Sequence, residues 1–158
     1  MSTLNYKRLI ISLALPQLAG LAGSLFTTPA IPAWYAGLEK PSFNPPNWIF
    51  APVWTLLFLL MGISLYFIWG RGLENKKSKI AVLIFAVQLA LNALWSIVFF
   101  GFHNLGAAFV AIIFLWFAIF VNIVAFAKIS KQAAYLLLPY ILWVSFAAIL
   151  NFSILTLN

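Results

Sequence analysis

The sequence has no cysteine, one histidine and two acidic residues among 158. Without cysteine the chain holds no disulfide, no thiolate metal ligand and no cysteine nucleophile. The two carboxylates, Glu39 and Glu74, and the single imidazole, His103, leave little for acid–base catalysis or a metal site, so we expect neither a metal nor a cofactor. Charged residues form only 7% of the chain, against about a quarter of a typical soluble domain, and so few charges cannot cover a soluble fold.

The chain is instead strongly apolar: 65% of its residues are hydrophobic, 18% are aromatic and the mean hydropathy is +1.08. A helix needs about 20 largely apolar residues to cross the hydrocarbon layer of a bilayer, and five segments meet this requirement. The sequence therefore predicts an all-α membrane protein, a bundle of five transmembrane helices that forms a single domain over residues 1–158 and contacts membrane lipid. The predicted spans are 9–26, 49–69, 80–102, 105–127 and 133–155.

The connections between the predicted spans differ in length. The loop from Thr27 to Trp48 is long and rich in proline and aromatic residues, which is typical of an ordered cap and not of a flexible tether. The other connections are short. The tightest is a turn around His103 and Asn104, where we expect the histidine to be a solvated cap.

Basic residues lie almost entirely on one side of the predicted membrane. Eight of the nine Lys and Arg residues flank the N-terminus or the second and fourth connections, and only Lys40 lies in the first loop. The positive-inside rule then places the N-terminus in the cytoplasm, with the first loop and the C-terminus on the opposite side. The net charge of +7 reflects this topology, so we expect no nucleic-acid partner. Lys7 and Arg8 also fit a signal peptide, but Pro16 and Gln17 within a long apolar run favour a retained helix.

Polar residues inside the spans stand out because they are costly in lipid. Gln88, Asn92 and Ser96 recur every four residues, so they share one face of the third span. Two interpretations remain open. The side chains hydrogen-bond to neighbouring helices, which the pattern by itself favours, or they line a cavity in which Asn92 offers a donor and an acceptor to a ligand.

The positions of three tryptophans favour the second interpretation, that the polar residues line a cavity. Trp54, Trp95 and Trp143 fall inside spans, away from the interfacial belts, and a buried indole N–H needs a partner. Three inward indole faces beside small residues predict a flat apolar slot with a few donors. Such a slot suits a planar aromatic ligand, such as a tetrapyrrole, or a rigid sterol.

Small residues and prolines mark further positions on the predicted helices. The pairs Ala19–Gly23, Gly20–Ser24 and Ala86–Ala90 have the small-xxx-small spacing, which lets helices approach closely inside a bundle or at a homodimer interface. Pro16 and Pro139 each remove a helix hydrogen bond and so allow a kink.

The loop and the start of the second span read WYAGLEKPSFNPPNW and IFAPVWT. They are followed by LMG at residues 60–62, QxxxNxxWSxxFF from residue 88 and PYxxWxxFAxxLN from residue 139. This succession resembles the translocator protein family, which comprises the tryptophan-rich sensory proteins of bacteria and the peripheral benzodiazepine receptor of mitochondria. The likeness covers essentially the whole chain.

The resemblance implies a five-helix bundle, often dimeric, that binds porphyrins and synthetic ligands in a cavity beneath the first loop. The short loops and tail indicate a bacterial member in a cell-envelope membrane. Mammalian members carry a cholesterol-recognition pattern near the end of the last helix, but here no Lys or Arg follows Lys131, so sterol binding at that site is not supported. Matched position by position, the pocket residues are Trp34, Tyr35, Trp54, Asn92, Trp95, Trp143 and Ala147.

These features favour one of three possible functions. The leading hypothesis is an integral membrane receptor or carrier that binds porphyrins or related tetrapyrroles, with a role in tetrapyrrole transport or regulatory sensing. The alternative is an enzyme-like activity, a light-dependent oxidative degradation of bound porphyrin by tryptophan that needs no acid, base or metal. A channel or ion-coupled transporter is disfavoured because every charged residue lies in a loop or flank.

Overall fold

The computed structural model describes residues 5–158, and the regular structure in that range is helical throughout. Five helical segments, counting α5 and α6 as one, are long and apolar enough to cross a membrane. The predicted five-helix bundle is therefore confirmed. A short 3-10 turn, Tyr35–Gly37, stands between the first two helices. The helices are α1 (Tyr6–Ala33), α2 (Asn47–Gly70), α3 (Lys76–Ser96), α4 (Leu105–Ala127), α5 (Lys131–Leu136) and α6 (Leu138–Leu157).

Most helices begin at a polar residue whose side chain accepts a backbone hydrogen bond. Asn5 accepts from the N–H of Arg8 at the start of α1, at 3.1 Å. Asn104 does the same at the start of α4, at 2.9 Å from the N–H of Ala107. Asn75 and Ser130 cap α3 and α5 in this way. Each cap satisfies a donor that the first helical turn leaves free, which sets where the helix begins.

Helix α1 is longer than the apolar span predicted for it. It continues past the predicted end at Phe26 and runs to Ala33, with Pro16 and two further prolines inside it. The first connection therefore shortens from the predicted Thr27–Trp48 to residues 34–46. The reason is tertiary, because the added turns pack onto the bundle and bury Ala30.

The fifth span is interrupted where proline allows a kink. Helix α5 ends at Leu136, and Pro139 lies in the first turn of α6. Proline is tolerated there because the first turn of a helix does not need its N–H. Pro16 has no such effect, since α1 passes through it unbroken.

Helix α3 ends in a wider, π-type turn over Ile97–Gly101. The N–H of Phe102 donates to the carbonyl of Ile97 at 2.9 Å, and His103 then takes a left-handed φ of 54° before α4 begins. Turns of this kind are frequent at functional sites. Here the turn directs two consecutive rings, Phe99 and Phe100, towards the bundle interior.

Small residues of α1 and α2 bring α1 into close contact with both α2 and α3. A Cβ atom on Gly62 of α2 would lie 2.8 Å from the Cα of Leu13 in α1, and one on Gly23 would lie 3.1 Å from the Oγ of Ser96. Gly20 faces Phe58 in the same way. Of the two alternatives for these positions, Gly20 and Gly23 pack inside the bundle.

The two ends of the bundle differ in chemistry. We call the end formed by residues 34–46 the loop end. The opposite end, which we call the basic end, carries Lys7, Arg8, Arg71, Lys76, Lys77, Lys79, Lys128 and Lys131.

Candidate functional site

A cavity of about 280 Å³ lies at the loop end, between α1, α2, α3 and α6. Its volume is just below the range of typical small-molecule pockets, roughly 300–1,000 Å³, and its walls are mainly apolar and aromatic. The structure brings six of the seven predicted site residues to its walls: Tyr35, Trp54, Asn92, Trp95, Trp143 and Ala147.

Aromatic rings form two walls of this cavity. Trp54 and Trp95 are neighbours with ring centroids 6.4 Å apart and planes inclined by 32°. Trp95 in turn contacts Phe99 at 5.5 Å. Trp143 lies on the α6 wall, where Phe50 meets its ring edge-on at 6.2 Å. These distances are those of favourable aromatic pairs, so the rings support one another and give the cavity flat, fixed surfaces.

Hydrogen bonds between helices hold the polar residues of the cavity. The side-chain amide of Asn92 donates to the Tyr140 hydroxyl at 2.8 Å. The indole N–H of Trp95 donates to the side-chain oxygen of Asn151 at 3.1 Å, and the amide of Asn151 donates to the Leu105 carbonyl at 3.1 Å. The two interpretations of the polar stripe therefore combine: Asn92 hydrogen-bonds to another helix and also lines the cavity. One of its two amide N–H groups is engaged by Tyr140 and is therefore not available to a ligand.

The indole N–H of Trp143 is in a different situation. It is buried and has no hydrogen-bond partner among the described residues. Leaving a buried donor unpaired costs about 1–3 kcal/mol. Trp143 lies on the cavity wall, but its N–H is itself covered, so a ligand acceptor in the cavity would remove this cost only once the indole turns towards it.

Trp34, the seventh predicted residue, does not lie on the cavity wall. Its ring stacks on His103 with centroids 4.3 Å apart and planes 13° from parallel, and it meets Phe99 edge-on at 5.5 Å. His103 is exposed, as expected of a solvated cap, but it also carries this stack. Trp34 therefore supports the cavity through Phe99.

The loop above the cavity is held at several points. The Tyr35 hydroxyl donates to the side-chain oxygen of Asn44 at 2.7 Å. Asn158 accepts from the backbone N–H of Glu39 at 3.0 Å and donates to its carbonyl at 2.9 Å. The ammonium of Lys40 lies 4.9 Å from the centre of the Tyr35 ring. These contacts make the loop an ordered cap attached to the end of α6.

Replacing Tyr35 with phenylalanine is expected to loosen this cap by about 1 kcal/mol, because the hydrogen bond to Asn44 is lost. Backbone amides of residues 34–46 should then exchange with deuterium about fivefold faster, as measured by mass spectrometry. Burial raises the pKa of the Tyr35 hydroxyl to about 12. The protection of these amides relative to their intrinsic exchange rate should therefore persist below pH 10 and fall as the pH rises through about 12. Equal exchange in both proteins at pH 7 would contradict the role of this contact.

Helix α1 supplies a wall that was not predicted as part of the site. Its contribution is mostly small or polar: Gln17, Ala19, Gly20, Gly23, Ser24, Thr27 and Thr28. The small residues were interpreted as helix contacts only. The same lack of side-chain volume also leaves the space that becomes the cavity.

The cavity opens sideways between α1 and α2. The exposed residues of its lining, Leu21, Thr28, Asn47, Ala51 and Thr55, all belong to these two helices. An apolar ligand in the surrounding lipid therefore has a lateral route to the aromatic walls.

Comparison with known proteins identifies the fold that carries this cavity. The model of the TspO/MBR family matches residues 12–157. The chain belongs to the TspO/MBR family. It is 46% identical over 150 residues to the tryptophan-rich protein TspO of Chlorobaculum tepidum, covering 95% of each chain. It is 48% identical over 155 residues to the protein of the same name in Archaeoglobus fulgidus, covering 98% of this chain and 99% of the relative.

TspO/MBR relatives extend to animals. The translocator protein of Homo sapiens is 37% identical over 140 residues, covering 88% of this chain and 83% of the relative. The resemblance inferred from the tryptophan, proline and asparagine motifs is thereby confirmed. Together with the five helices able to span a membrane, TspO/MBR membership establishes the chain as an integral membrane protein.

Proposed function

We propose that this protein is a receptor or carrier for porphyrins or related tetrapyrroles, which bind in the cavity at the loop end. The observation that supports the proposal most directly is the combination of flat aromatic walls with an unpaired donor. Trp54 and Trp95 offer ring faces to a planar ligand, and Trp143 holds a buried indole N–H without a partner. A tetrapyrrole supplies both a flat aromatic ring and acceptor atoms.

The loop adds a positive charge above the aromatic walls. Lys40 is the only Lys or Arg residue between Arg8 and Arg71, and its ammonium lies over the ring of Tyr35, which lines the cavity. Natural porphyrins carry carboxylate side chains. In the proposed complex these groups point towards the loop end and pair with Lys40, while the macrocycle lies against the rings of Trp54, Trp95 and Trp143.

The sideways opening supports carriage as well as binding. A ring larger than the enclosed space can extend through the opening between α1 and α2 towards lipid. In the proposed orientation, the basic end faces the cytoplasm of a bacterial cell, because the positive-inside rule assigns segments rich in Lys and Arg to that side. A homodimer stays a prediction. Gly20 and Gly23 pack inside the bundle, so these two small residues do not support a contact between two copies.

Replacing Trp54 with phenylalanine and Trp143 with leucine together is expected to weaken porphyrin binding by about tenfold or more. The change reduces the stacking face at Trp54 and removes both the ring and the unpaired donor of Trp143. Affinity is measured by titrating protoporphyrin into purified protein and following the shift of the Soret band. The matched control is Trp116→Phe, because Trp116 lies on α4 and donates to Ser145 outside the cavity lining.

Unchanged affinity in the double variant would exclude the cavity as the porphyrin site. The same samples distinguish binding from the enzyme alternative. After illumination in the presence of dioxygen, bleaching equal to that of free porphyrin supports a receptor or carrier. Faster loss of the Soret band with a new ring-opened product would favour degradation.

A further inference from the structure

The seam between α1 and α2 is closed towards the basic end and open towards the loop end. In the closed part, Gly62 of α2 lies so near α1 that a Cβ atom there would be 2.8 Å from the Cα of Leu13. In the open part, the cavity is lined by exposed residues of both helices, among them Leu21 of α1 and Ala51 of α2. A ligand in the hydrocarbon layer therefore meets the cavity at the loop-end part of this seam.

One polar side chain joins the two helices where the open part of the seam begins. Of the α1 residues that line the cavity, Gln17 lies nearest the basic end. Its side-chain amide donates to the backbone carbonyl of Thr55 in α2 at 3.3 Å, which is long for an N–H···O hydrogen bond. A polar side chain inside a membrane span is costly and commonly marks a functional position. This long bond can break and form again while both helices stay folded.

The part of α2 that Gln17 holds is weakly packed. None of residues 47–56, which we call the gate segment, is fully buried, whereas α2 buries seven residues from Leu57 onwards. Pro52 lacks the N–H that would bond to the carbonyl four residues earlier. The Thr55 hydroxyl donates to the carbonyl of Ala51 at 2.8 Å, and such a bond also favours bending of a helix. The gate segment can therefore move relative to the buried part of α2.

The gate segment carries aromatic residues of the cavity wall. Phe50 meets the ring of Trp143 edge-on at 6.2 Å, and Trp54 meets the ring of Tyr140 edge-on at 6.3 Å. Both Phe50 and Trp54 line the cavity. Movement of the gate segment away from α1 therefore widens the lateral opening, and its return brings two rings back against a ligand.

We propose that Gln17 is the latch of a lateral gate through which the ligand exchanges with the hydrocarbon layer. When its bond to the Thr55 carbonyl breaks, the gate segment moves away from α1 and the seam widens. The inference rests on the proposed function and specifies its substrate, which is the form of the tetrapyrrole dissolved in the membrane. Entry from water beneath the loop is disfavoured, because hydrogen bonds to Asn44 and Asn158 hold residues 34–46 in place.

The first test locks the seam. The chain has no cysteine, so Gln17→Cys with Thr55→Cys introduces a unique pair of thiols, which a short reducible bis-methanethiosulfonate joins. Protoporphyrin is added to the full chain in phosphatidylcholine vesicles, and the quenching of tryptophan fluorescence is followed with time. The crosslinked protein is expected to bind protoporphyrin about tenfold more slowly, or slower still, than the same sample after reduction. Reduction of the same sample controls for the two substitutions.

The second test removes the latch. In Gln17→Leu, the rate constants of protoporphyrin association and dissociation are expected to rise together by about fivefold, because one hydrogen bond no longer closes the seam. Loss of an ordinary ligand contact would instead raise dissociation alone. The matched control, Trp116→Phe, removes a hydrogen bond between α4 and α6 outside the cavity lining and should keep both wild-type rates.

Equal binding rates in the crosslinked and reduced protein would overturn the gate, as would a Gln17→Leu variant in which only dissociation is faster. If Tyr35→Phe changes the binding rate and the crosslink does not, the ligand enters from water beneath the loop. Failure of the proposed function has a different signature, since the wild type would then show no saturable quenching by protoporphyrin. Saturable quenching at rates that ignore the crosslink would contradict the gate alone.

Discussion

Replacing Gly20 with leucine is expected to abolish porphyrin binding, with affinity falling by more than about a hundredfold, while the bundle remains folded. Gly20 lines the cavity, so the new side chain occupies the space that a ligand would use. A Cβ atom at this position also overlaps the ring of Phe58, whose Cδ2 lies at 2.7 Å. Phe58 itself lines the cavity, so a ring displaced towards it takes further space from a ligand. Binding would therefore be lost because the cavity is filled, and not because a hydrogen bond is lost.

The same Soret titration measures this effect, and circular dichroism confirms that helix content is unchanged. The matched control is Ala22→Leu, which adds the same side chain to the exposed face of the same helix and should bind porphyrin normally. Wild-type affinity in the Gly20 variant would mean that porphyrin binds elsewhere on the molecule.

Replacing Gly62 with valine is expected to reduce the free energy of unfolding by about 3 kcal/mol. A Cβ atom on Gly62 would lie 2.8 Å from the Cα of Leu13 and 2.8 Å from the carbonyl oxygen of Ser12. Both of these are backbone atoms, which cannot rotate away as the Phe58 ring can. The valine therefore has to separate α1 from α2, and the bundle loses part of this interface.

Unfolding of the purified protein by sodium dodecyl sulfate, followed by circular dichroism, measures the loss. The control is Gly70→Val at the end of the same helix, where a Cβ atom meets nothing within 4 Å. The control should unfold at the wild-type detergent concentration. An equal effect of the two substitutions would indicate that helix propensity, and not helix contact, sets the stability.

The order and number of helices could be predicted because the signals are local. Five apolar runs of sufficient length lead to five spans, and shorter segments that hold the charged residues separate them. Helical periodicity alone also placed Asn92, Trp95, Trp143 and Ala147 on faces that line the cavity. Along one helix, the direction of a side chain depends only on residue number. The residues that share a face of a span can therefore be predicted before the neighbouring helices are known.

Contacts between distant parts of the chain were not predictable in this way. The composition from Thr27 to Ala33 suggested a loop, but packing extends α1 through it. The motif placed Trp34 in the pocket, whereas in the structure its ring stacks on His103 and reaches the cavity only through Phe99. Neither outcome follows from the local sequence, because each depends on which surface the neighbouring helix presents.

The sequence by itself determined that the chain spans a membrane with five helices and that Asn92, Trp95 and Trp143 lie on helix faces directed into the bundle. Only the tertiary structure decided which hydrogen-bond partner each buried indole N–H and side-chain amide has. Asn92 is paired with Tyr140 and Trp95 with Asn151, while Trp143 is left without a partner among the described residues. A hydrogen bond between helices requires atoms from separate helices to meet within about 3 Å. The periodicity along one helix gives no information about such distances.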